Sequence, residues 1–255
     1  MVAPSVMVKP GKIRLDQLLV ERGLADSRTR AQSLIMSGKV FSGETRLHKP
    51  GQAFSADMEI ELRSPDHPWV SRGGVKLACA LEEFSIDPKE CVCLDVGAST
   101  GGFTHVLLEQ GAAKIYAVDV GRGQLAWELR NEPRVVILER TNARHLTQDQ
   151  ILDPVDVIVC DASFIGLETI LPAPLSLAAP GAVVVALIKP QFEVGKGRVG
   201  KGGIVTDPAL HEEVCARISA WLSERSGWTV LGVCDSPIEG AEGNREFLIA
   251  ARHEA

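Results

Sequence analysis

The stretch Asp95-Val-Gly-Ala-Ser-Thr-Gly-Gly-Phe103 decides the fold of this 255-residue chain. It completes the apolar run Val92–Val96 and leads into a helical pattern over Phe103–Gln110. Glycines at such a junction allow a tight turn and let the backbone approach a bound molecule closely. The sequence therefore predicts a buried strand, a glycine turn and a helix, with a ligand against the turn.

Apolar runs and helical segments continue to alternate along the rest of the chain. This alternation is typical of a parallel sheet covered by helices on both faces, whose ligands bind at the carboxyl ends of the strands. Asp207 is expected to cap a helix that begins at Pro208. Its predicted buried stripe is Val214, Ile218, Trp221 and Leu222. The predicted strands are Val92–Val96, Lys114–Val118, Val135–Leu138, Val155–Cys160, Ala182–Ile188, Thr229–Cys234 and Glu246–Ala250.

The glycine spacing distinguishes between nucleotide-like cofactors. Gly97-xxx-Gly101-Gly102 is not the GxGxxG that holds a dinucleotide pyrophosphate, which disfavours a dehydrogenase. It resembles the first motif of class I S-adenosylmethionine-dependent methyltransferases, whose cofactor lacks phosphates. The next strand ends in Tyr116-Ala-Val-Asp119, which places a carboxylate to accept hydrogen bonds from a ribose diol.

The composition excludes several classes of protein. With 45% hydrophobic residues the chain is neither disordered nor a disulfide miniprotein. Six cysteines without a CxxC pair, and histidines that do not cluster, predict no metal site and a reduced cytoplasmic protein. The uncharged stretch Thr169–Ile188 contains three prolines, so we expect a short helix, a turn at Pro180-Gly181 and a buried strand rather than a membrane span.

The N-terminal part of the chain is basic. Residues 1–76 carry a net charge of +4 and the remainder −10, which suggests a small module that meets a polyanion. Two short helices are predicted, over Arg14–Arg22 and after a cap at Ser27, followed by short strands that include 58–62. Ala31, Leu34 and Ile35 form the buried face of the second helix, and Arg28 and Arg30 its outer face.

This module resembles an S4-like RNA-binding domain. The resemblance depends on Arg14-Leu-Asp-Gln-Leu-Leu19, Ser27-Arg-Thr-Arg-Ala31, Ile35, Gly38-Lys39-Val40 and Lys49-Pro-Gly51. We expect an S4-like domain over residues 1–62, a proline-containing linker over 63–72 and a catalytic domain over 73–255. Trp69 in the linker is interpreted as a docking anchor between the domains, with base stacking as the alternative.

A second glycine-rich segment spans Gly195 to Lys201. It lacks the Ser or Thr that follows the lysine of a P-loop, because Gly202 stands there, so nucleotide hydrolysis is rejected. A basic loop that closes over a phosphate backbone through Lys196, Arg198 and Lys201 is the preferred interpretation. A merely flexible glycine loop is the alternative.

Two charged residues end buried strands, Asp161 after Cys160 and Lys189 after Ile188. Because unpaired charges are costly there, they are expected to pair across the cleft, either as a plain ion pair or as catalytic groups. Together with Ser71-Arg-Gly-Gly-Val-Lys-Leu77, Cys160-Asp-Ala-Ser-Phe164, Lys189-Pro-Gln-Phe-Glu193 and Asn244-Arg-Glu-Phe247, they make the chain resemble the TlyA family. Members are ribosomal RNA 2′-O-methyltransferases with an FtsJ-like catalytic domain, some of them named haemolysins.

The resemblance implies a class I Rossmann-like α/β methyltransferase sheet preceded by a small S4-like α+β RNA-binding domain. It implies S-adenosylmethionine as cofactor and a cytidine 2′-hydroxyl of 16S or 23S rRNA, or both, as the methyl acceptor. The implied residues are a catalytic tetrad Lys76, Asp161, Lys189 and Glu246; cofactor contacts Gly97, Ala98, Gly101, Asp119, Asn142 and Asp161; and RNA contacts Arg14, Arg28, Arg30 and Lys39, besides the loop cations.

The chemistry agrees with these residue types. Methyl transfer needs in-line attack by a poorly nucleophilic hydroxyl from close range. Lys189 is predicted to lie closest to that hydroxyl, with Asp161 orienting it and Glu246 orienting Lys76 or the ribose. Two alternatives are a non-catalytic RNA-binding ribosome-assembly factor and a haemolysin. We expect ribosomal RNA or subunits as partners, with no membrane and no obligate protein partner.

Overall fold

A computed structural model describes residues 11–36, 38–63, 67–195, 197–240 and 243–254. The chain divides into two compact units, Met1–Pro68 and Trp69–Ala255. The division falls inside the stretch 63–72 in which the linker was predicted. Each unit has a hydrophobic core of its own.

The first unit packs two helices against short strands. Its core contains the buried faces of both helices, including Leu15, Leu19 and the predicted Ala31, Leu34 and Ile35. Ser27 caps the second helix, since its Oγ accepts a hydrogen bond from the Arg30 backbone N–H at 3.1 Å. The elements are β1 (Lys12–Arg14), α1 (Leu15–Glu21), α2 (Arg28–Met36), β2 (Val40–Ser42), β3 (Thr45–Arg46), β4 (Ala53–Ser55) and β5 (Glu61–Leu62).

These strands form two small antiparallel sheets, β1-β4 and β3-β2-β5. The strand predicted over 58–62 is shorter than expected, because only Glu61–Leu62 pairs with a neighbour. The Met58 backbone N–H instead bonds to the Ser55 carbonyl at 3.0 Å, which makes a turn there.

The second unit contains a seven-stranded sheet in the order β11-β12-β10-β9-β6-β7-β8. β12 is antiparallel to both its neighbours, and the other pairs are parallel. The predicted α/β class and strand positions are confirmed, with small differences at the ends. The strands are β6 (Val92–Val96), β7 (Lys114–Asp119), β8 (Val135–Glu139), β9 (Val155–Cys160), β10 (Ala178–Ile188), β11 (Trp228–Asp235) and β12 (Phe247–His253).

Helices cover both faces of this sheet. Ile158 packs into one core with α6, α7 and α9, whereas Val157 and Val159 face the other core with α3, α4 and α5. Alternate residues of each central strand are therefore buried on opposite sides. The helices are α3 (Gly73–Glu83), α4 (Gly102–Glu109), α5 (Trp127–Arg130), α6 (Leu167–Ile170), α7 (Pro172–Leu175), α8 (Pro190–Glu193) and α9 (Pro208–Ser223), with 3-10 turns at Ala143–His145 and Lys201–Gly203.

Two local predictions need correction. Pro180-Gly181 is not a turn between elements but a bulge inside β10, where the register with β9 shifts between Ala178 and Val183. Gly181 accommodates the bulge with φ 83°. Trp221, predicted on the buried stripe of α9, is only half buried and carries the Arg225 guanidinium 5.0 Å from its ring centre.

The uncharged stretch from Thr169 to Ile188 contains the end of α6 and the whole of α7 and β10. Across the described ranges, no helix is both long enough and apolar enough to cross a membrane.

Trp69 belongs to the packing of the second unit. Its ring meets the His105 ring edge-on at 5.8 Å, and the Val70 backbone N–H donates to His105 Nδ1 at 3.1 Å. The indole also lies against Gly74, where an added Cβ would overlap it. Glycine at position 74 therefore makes room for the tryptophan at the start of α3.

We predict that Gly74→Ala destabilises the chain by about 1–2 kcal/mol, because overpacking against Trp69 outweighs the better helix propensity of alanine. Urea unfolding measures this change. Glu82→Ala, at an exposed position of the same helix, serves as the control and should stay within about 0.5 kcal/mol of wild type. Equal stability of Gly74→Ala and wild type would contradict the packing described here.

Candidate active site

Two neighbouring cavities open at the carboxyl ends of β6, β9 and β10. β6 and β9 adjoin where the strand order reverses, which is where doubly wound sheets bind ligands. One cavity has a volume of about 570 Å³ and the other about 480 Å³. Residues common to both walls are Gly97, Ser99, Asp161, Ser163 and Phe164.

The larger cavity contains a largely buried ion pair between residues that follow adjacent strands. Cys160 of β9 pairs with Ala186 of β10, so the residues after the two strand ends come together. Lys189 Nζ lies 2.5 Å from Asp161 Oδ1 and also donates to Ser163 Oγ at 3.0 Å. Lys189 is 7% exposed and the Asp161 side chain 23%. The predicted pairing across the cleft is present.

A second buried pair lines the same cavity. Lys76 on α3 donates to Glu246 Oε2 at 2.5 Å, although the two residues are 170 positions apart in sequence. Glu246 directly precedes β12, and both side chains are almost fully buried. All four residues of the implied tetrad thus surround one cavity as two neutral pairs, which offsets the cost of burying their charges.

The smaller cavity has apolar walls with polar groups among them. Gly97, with φ 85°, lies so close to Ala162 that an added Cβ would be 3.1 Å from its α-carbon. Asp119 Oδ2 accepts from the Ser99 backbone N–H at 2.8 Å and Oδ1 from the Gly121 N–H at 2.6 Å. Because a carboxylate has about four acceptor sites, Asp119 keeps capacity for a diol.

The other three residues predicted to contact the cofactor differ in their positions. Asn142 lines the smaller cavity and its Oδ1 accepts from the Arg144 backbone N–H at 3.1 Å. Ala98 lines the larger cavity. Gly101 lines neither of these two cavities. It has φ 94°, and a Cβ there would overlap the Leu129 side chain, so the turn itself requires this glycine.

Sequence reasoning missed two residues of the site. Ser163 accepts from Lys189, and its position within the Cys160–Phe164 motif was an available signal. Phe164 is 90% exposed with φ 66°, and its ring lies 5.1 Å from that of Phe192. Neither hydropathy nor spacing indicates a phenylalanine that faces solvent at the wall of both cavities.

The residues predicted to bind RNA lie on different parts of the chain. In the first unit Arg14, Arg28 and Arg30 are exposed or half exposed, and the first two bond to Asp16. In the glycine-rich segment, Lys201 is exposed, and Lys196 lies outside the described residues.

Arg198 departs from the predicted basic loop. It forms two hydrogen bonds to Glu213, at 2.5 and 2.6 Å. The segment is therefore less basic than its sequence indicates.

Asp95 is a buried acid behind the glycine turn. Its Oδ2 accepts from Thr104 Oγ1 at 2.6 Å, whereas its Oδ1 has no hydrogen-bond partner within the described part of the chain. Burial, with smaller contributions from the negative charges of Asp161 and Asp119, raises the pKa of Asp95 to about 7.

A doubly wound sheet with a glycine turn, an acid after the second strand and an adjoining cavity of buried lysines and carboxylates defines a methyltransferase of the Rossmann-like class. Residues 69–253 match the FtsJ-like methyltransferase family and residues 13–60 match the S4 domain. The chain therefore belongs to the FtsJ-like methyltransferases, and its S4 domain and close relatives place it in the TlyA family.

Three relatives illustrate this membership. The 16S/23S rRNA (cytidine-2′-O)-methyltransferase TlyA of Mycobacterium tuberculosis is 50% identical, over 94% of this chain and 90% of its own length. Hemolysin A of Brachyspira hyodysenteriae is 39% identical, over 92% and 98%. A solved hemolysin-named structure from Streptococcus thermophilus has a TM-score of 0.74 at 39% identity, covering 97% of this chain and 90% of its own. The predicted family is confirmed.

The raised pKa of Asp95 predicts a pH dependence of stability. Between about pH 4 and pH 7 the folded chain holds Asp95 neutral while the unfolded chain holds it ionised. The contribution of Asp95 to stability therefore falls as the pH rises, by at most about 1.4 kcal/mol per pH unit.

Urea unfolding of wild type and Asp95→Asn at pH 5 and pH 7.5 isolates this contribution, since other titrating groups are common to both proteins. The free energy of unfolding of wild type minus that of Asp95→Asn should be smaller at pH 7.5 than at pH 5. A difference independent of pH would show that Asp95 is ionised in the folded state.

Proposed function

We propose that this chain transfers a methyl group from S-adenosylmethionine to the ribose 2′-hydroxyl of a cytidine in ribosomal RNA, in 16S rRNA, 23S rRNA or both. The observation that carries the proposal is the cavity in which Lys189–Asp161 and Lys76–Glu246 are held as buried pairs beside a second cavity. The named activity of the M. tuberculosis relative supports the same acceptor. We further propose that the reaction takes place in the cytoplasm, because the proposed substrate is ribosomal RNA.

The smaller cavity fits the cofactor. Gly97 allows close approach of the backbone, Asp119 has acceptor capacity for a ribose diol, and Asn142 contributes an amide. Val118, Ile165 and Ile170 supply apolar surface for the rest of the molecule. When bound, the cofactor supplies an electrophilic methyl group on a positively charged sulfur. Asp161 lies on the wall between the two cavities and stabilises that positive charge.

Lys189 is the residue placed to hold the acceptor hydroxyl. Asp161 and Ser163 fix its Nζ, so little motion is needed when the ribose arrives. The hydroxyl oxygen would bond to the methyl carbon while the carbon–sulfur bond breaks with its electron pair on sulfur, so the hydroxyl proton would have to leave. For Lys189 to act as the general base for that proton, its ammonium group must first pass a proton to solvent, which is accessible at the partly exposed Asp161 side chain.

Lys76 and Glu246 form the second ion pair of the cavity. Glu246 orients Lys76, and the Glu246 carboxylate lies against Gly240, in space that a side chain there would need, because a Cβ at position 240 would stand 2.5 Å from Oε1. Confined side chains lose little entropy when substrate binds, which favours a fixed ribose position. We therefore assign Lys76 and Glu246 to holding the ribose in line with the methyl group.

The direct test is transfer of labelled methyl from S-adenosylmethionine to unmethylated 30S subunits, 50S subunits and free rRNA. The proposal expects label at a cytidine 2′-oxygen in at least one of these substrates. Cofactor binding without label in any of them would overturn it in favour of a non-catalytic RNA-binding assembly factor.

Lys189→Ala is predicted to lower the rate of transfer by about 10³-fold or more, since both positioning and proton transfer are lost. The affinity for S-adenosylmethionine, measured by calorimetry, should stay within a few-fold of wild type. Lys114→Ala is the matched control, because it also breaks a lysine–aspartate pair, with Asp153 at 2.6 Å, at the start of β7. Wild-type turnover by Lys189→Ala would refute its role.

A further inference from the structure

Asp16 is a fully buried carboxylate that the proposed reaction does not use. It lies in the first turn of α1, and its side chain has no exposed surface. Oδ1 accepts from Arg14 Nε and the Gln17 backbone N–H, each at 3.0 Å. Oδ2 accepts from Arg14 Nη2 at 2.9 Å, Arg28 Nη2 at 3.0 Å and Gln32 Nε2 at 2.9 Å. One carboxylate thus joins the end of β1 to α2.

Asp16 stays ionised in this position. Hydrogen bonding to Arg14, and further to Gln32 and Arg28, holds the pKa of Asp16 well below its usual range despite the opposing effect of burial. A buried anion is costly to maintain and is favoured only where its partners compensate. Two of those partners, Arg14 and Arg28, are residues predicted to bind RNA.

The two guanidinium groups are held side by side with their outer parts exposed. Both Nη2 atoms bond to the same oxygen, Asp16 Oδ2, so the groups are close together. The Arg14 side chain is 48% exposed and that of Arg28 57%. Asp16 occupies the Nε and Nη2 edge of Arg14 and leaves the Nη1 edge for another acceptor.

Gly51 completes the placement of Arg14. A Cβ at position 51 would stand 3.3 Å from Arg14 Nη1, so the guanidinium lies directly against the glycine backbone. The turn that carries Gly51 is itself bonded to α1, because the Leu15 and Asp16 backbone N–H groups donate to the carbonyls of Gln52 and Pro50. Arg14 is therefore fixed from two sides, by a carboxylate and by a backbone surface.

We propose that Asp16 is a positioning residue that organises Arg14 and Arg28 into one clamp for an RNA phosphate group. The inference rests on the proposed function, since it takes RNA as the ligand of the S4 domain. Guanidinium groups bind phosphate through two parallel hydrogen bonds, and a pair fixed in advance loses less side-chain entropy on binding. The clamp sets the affinity for substrate and leaves the chemical step unchanged.

The charge of Asp16 makes the proposal easy to distinguish from simple electrostatics. Replacing Asp16 by asparagine removes a negative charge beside the RNA-binding arginines. If charge alone mattered, RNA binding would become tighter. If Asp16 positions the arginines, binding becomes weaker although the domain becomes more positive.

The experiment compares wild type, Asp16→Asn, Gly51→Val and Gln17→Ala in the methyl-transfer assay, with the ribosomal subunit or rRNA that wild type methylates. KM for that substrate should rise about tenfold in Asp16→Asn, the loss expected for a charge-assisted hydrogen bond. Meanwhile kcat and the affinity for S-adenosylmethionine should stay within about twofold. Gln17→Ala is the matched control, because it removes a side-chain amide that donates to the Glu21 carboxylate at 2.8 Å and not to Asp16, so KM should stay unchanged.

Gly51→Val keeps the carboxylate. Because a Cβ at position 51 would already stand 3.3 Å from Arg14 Nη1, the larger branched side chain pushes the guanidinium away from its place beside Arg28, so this variant tests the clamp even if Asp16→Asn does not fold. A raised KM in Gly51→Val supports the clamp. An unchanged or lower KM in a folded Asp16→Asn, or an unchanged KM in Gly51→Val, overturns it. Absence of transfer by wild type to every substrate would instead overturn the proposed function.

Discussion

The free-energy cost of burying charge determines how the side chains of the active site are arranged. Lys189 directly follows β10 and Lys76 lies in the first turn of α3, both in buried positions where an isolated ammonium group would be strongly destabilising. Each is paired with a carboxylate at 2.5 Å. Removing one partner leaves an uncompensated charge, so each pair is held together as a unit. The same pairing fixes the side chains in place before any substrate is bound.

The sheet supplies the alignment that these pairs need. Parallel strands β9 and β10 end side by side, which places Asp161 next to Lys189 without any special loop. The reversal of strand order between β6 and β9 opens the adjoining cavity, and Gly97 lets the backbone approach Ala162 closely there. The strand order therefore determines both the shape of the sheet and the position of the site.

Much of this could be predicted from sequence, because apolar runs specify buried strands and residues directly after a strand end lie at the ligand-binding edge. Asp161, Lys189 and Asp119 can be predicted in this way. Contacts between side chains that only the folded chain brings together, such as Lys76 with Glu246 or Arg198 with Glu213, do not follow from strand positions. The same holds for Asp16, whose partners come together only when β1, α1 and α2 pack.

The most direct measurement of the central claim uses the double variant Lys76→Met/Glu246→Leu, which replaces one buried pair by apolar side chains of similar size. Such replacements are often neutral or stabilising, so urea unfolding and calorimetry should show a folded protein that binds S-adenosylmethionine normally. Methyl transfer to the wild-type substrate should nevertheless fall by about 100-fold or more. A folded double variant that transfers methyl at the wild-type rate would show that the pair is structural and contradict the account.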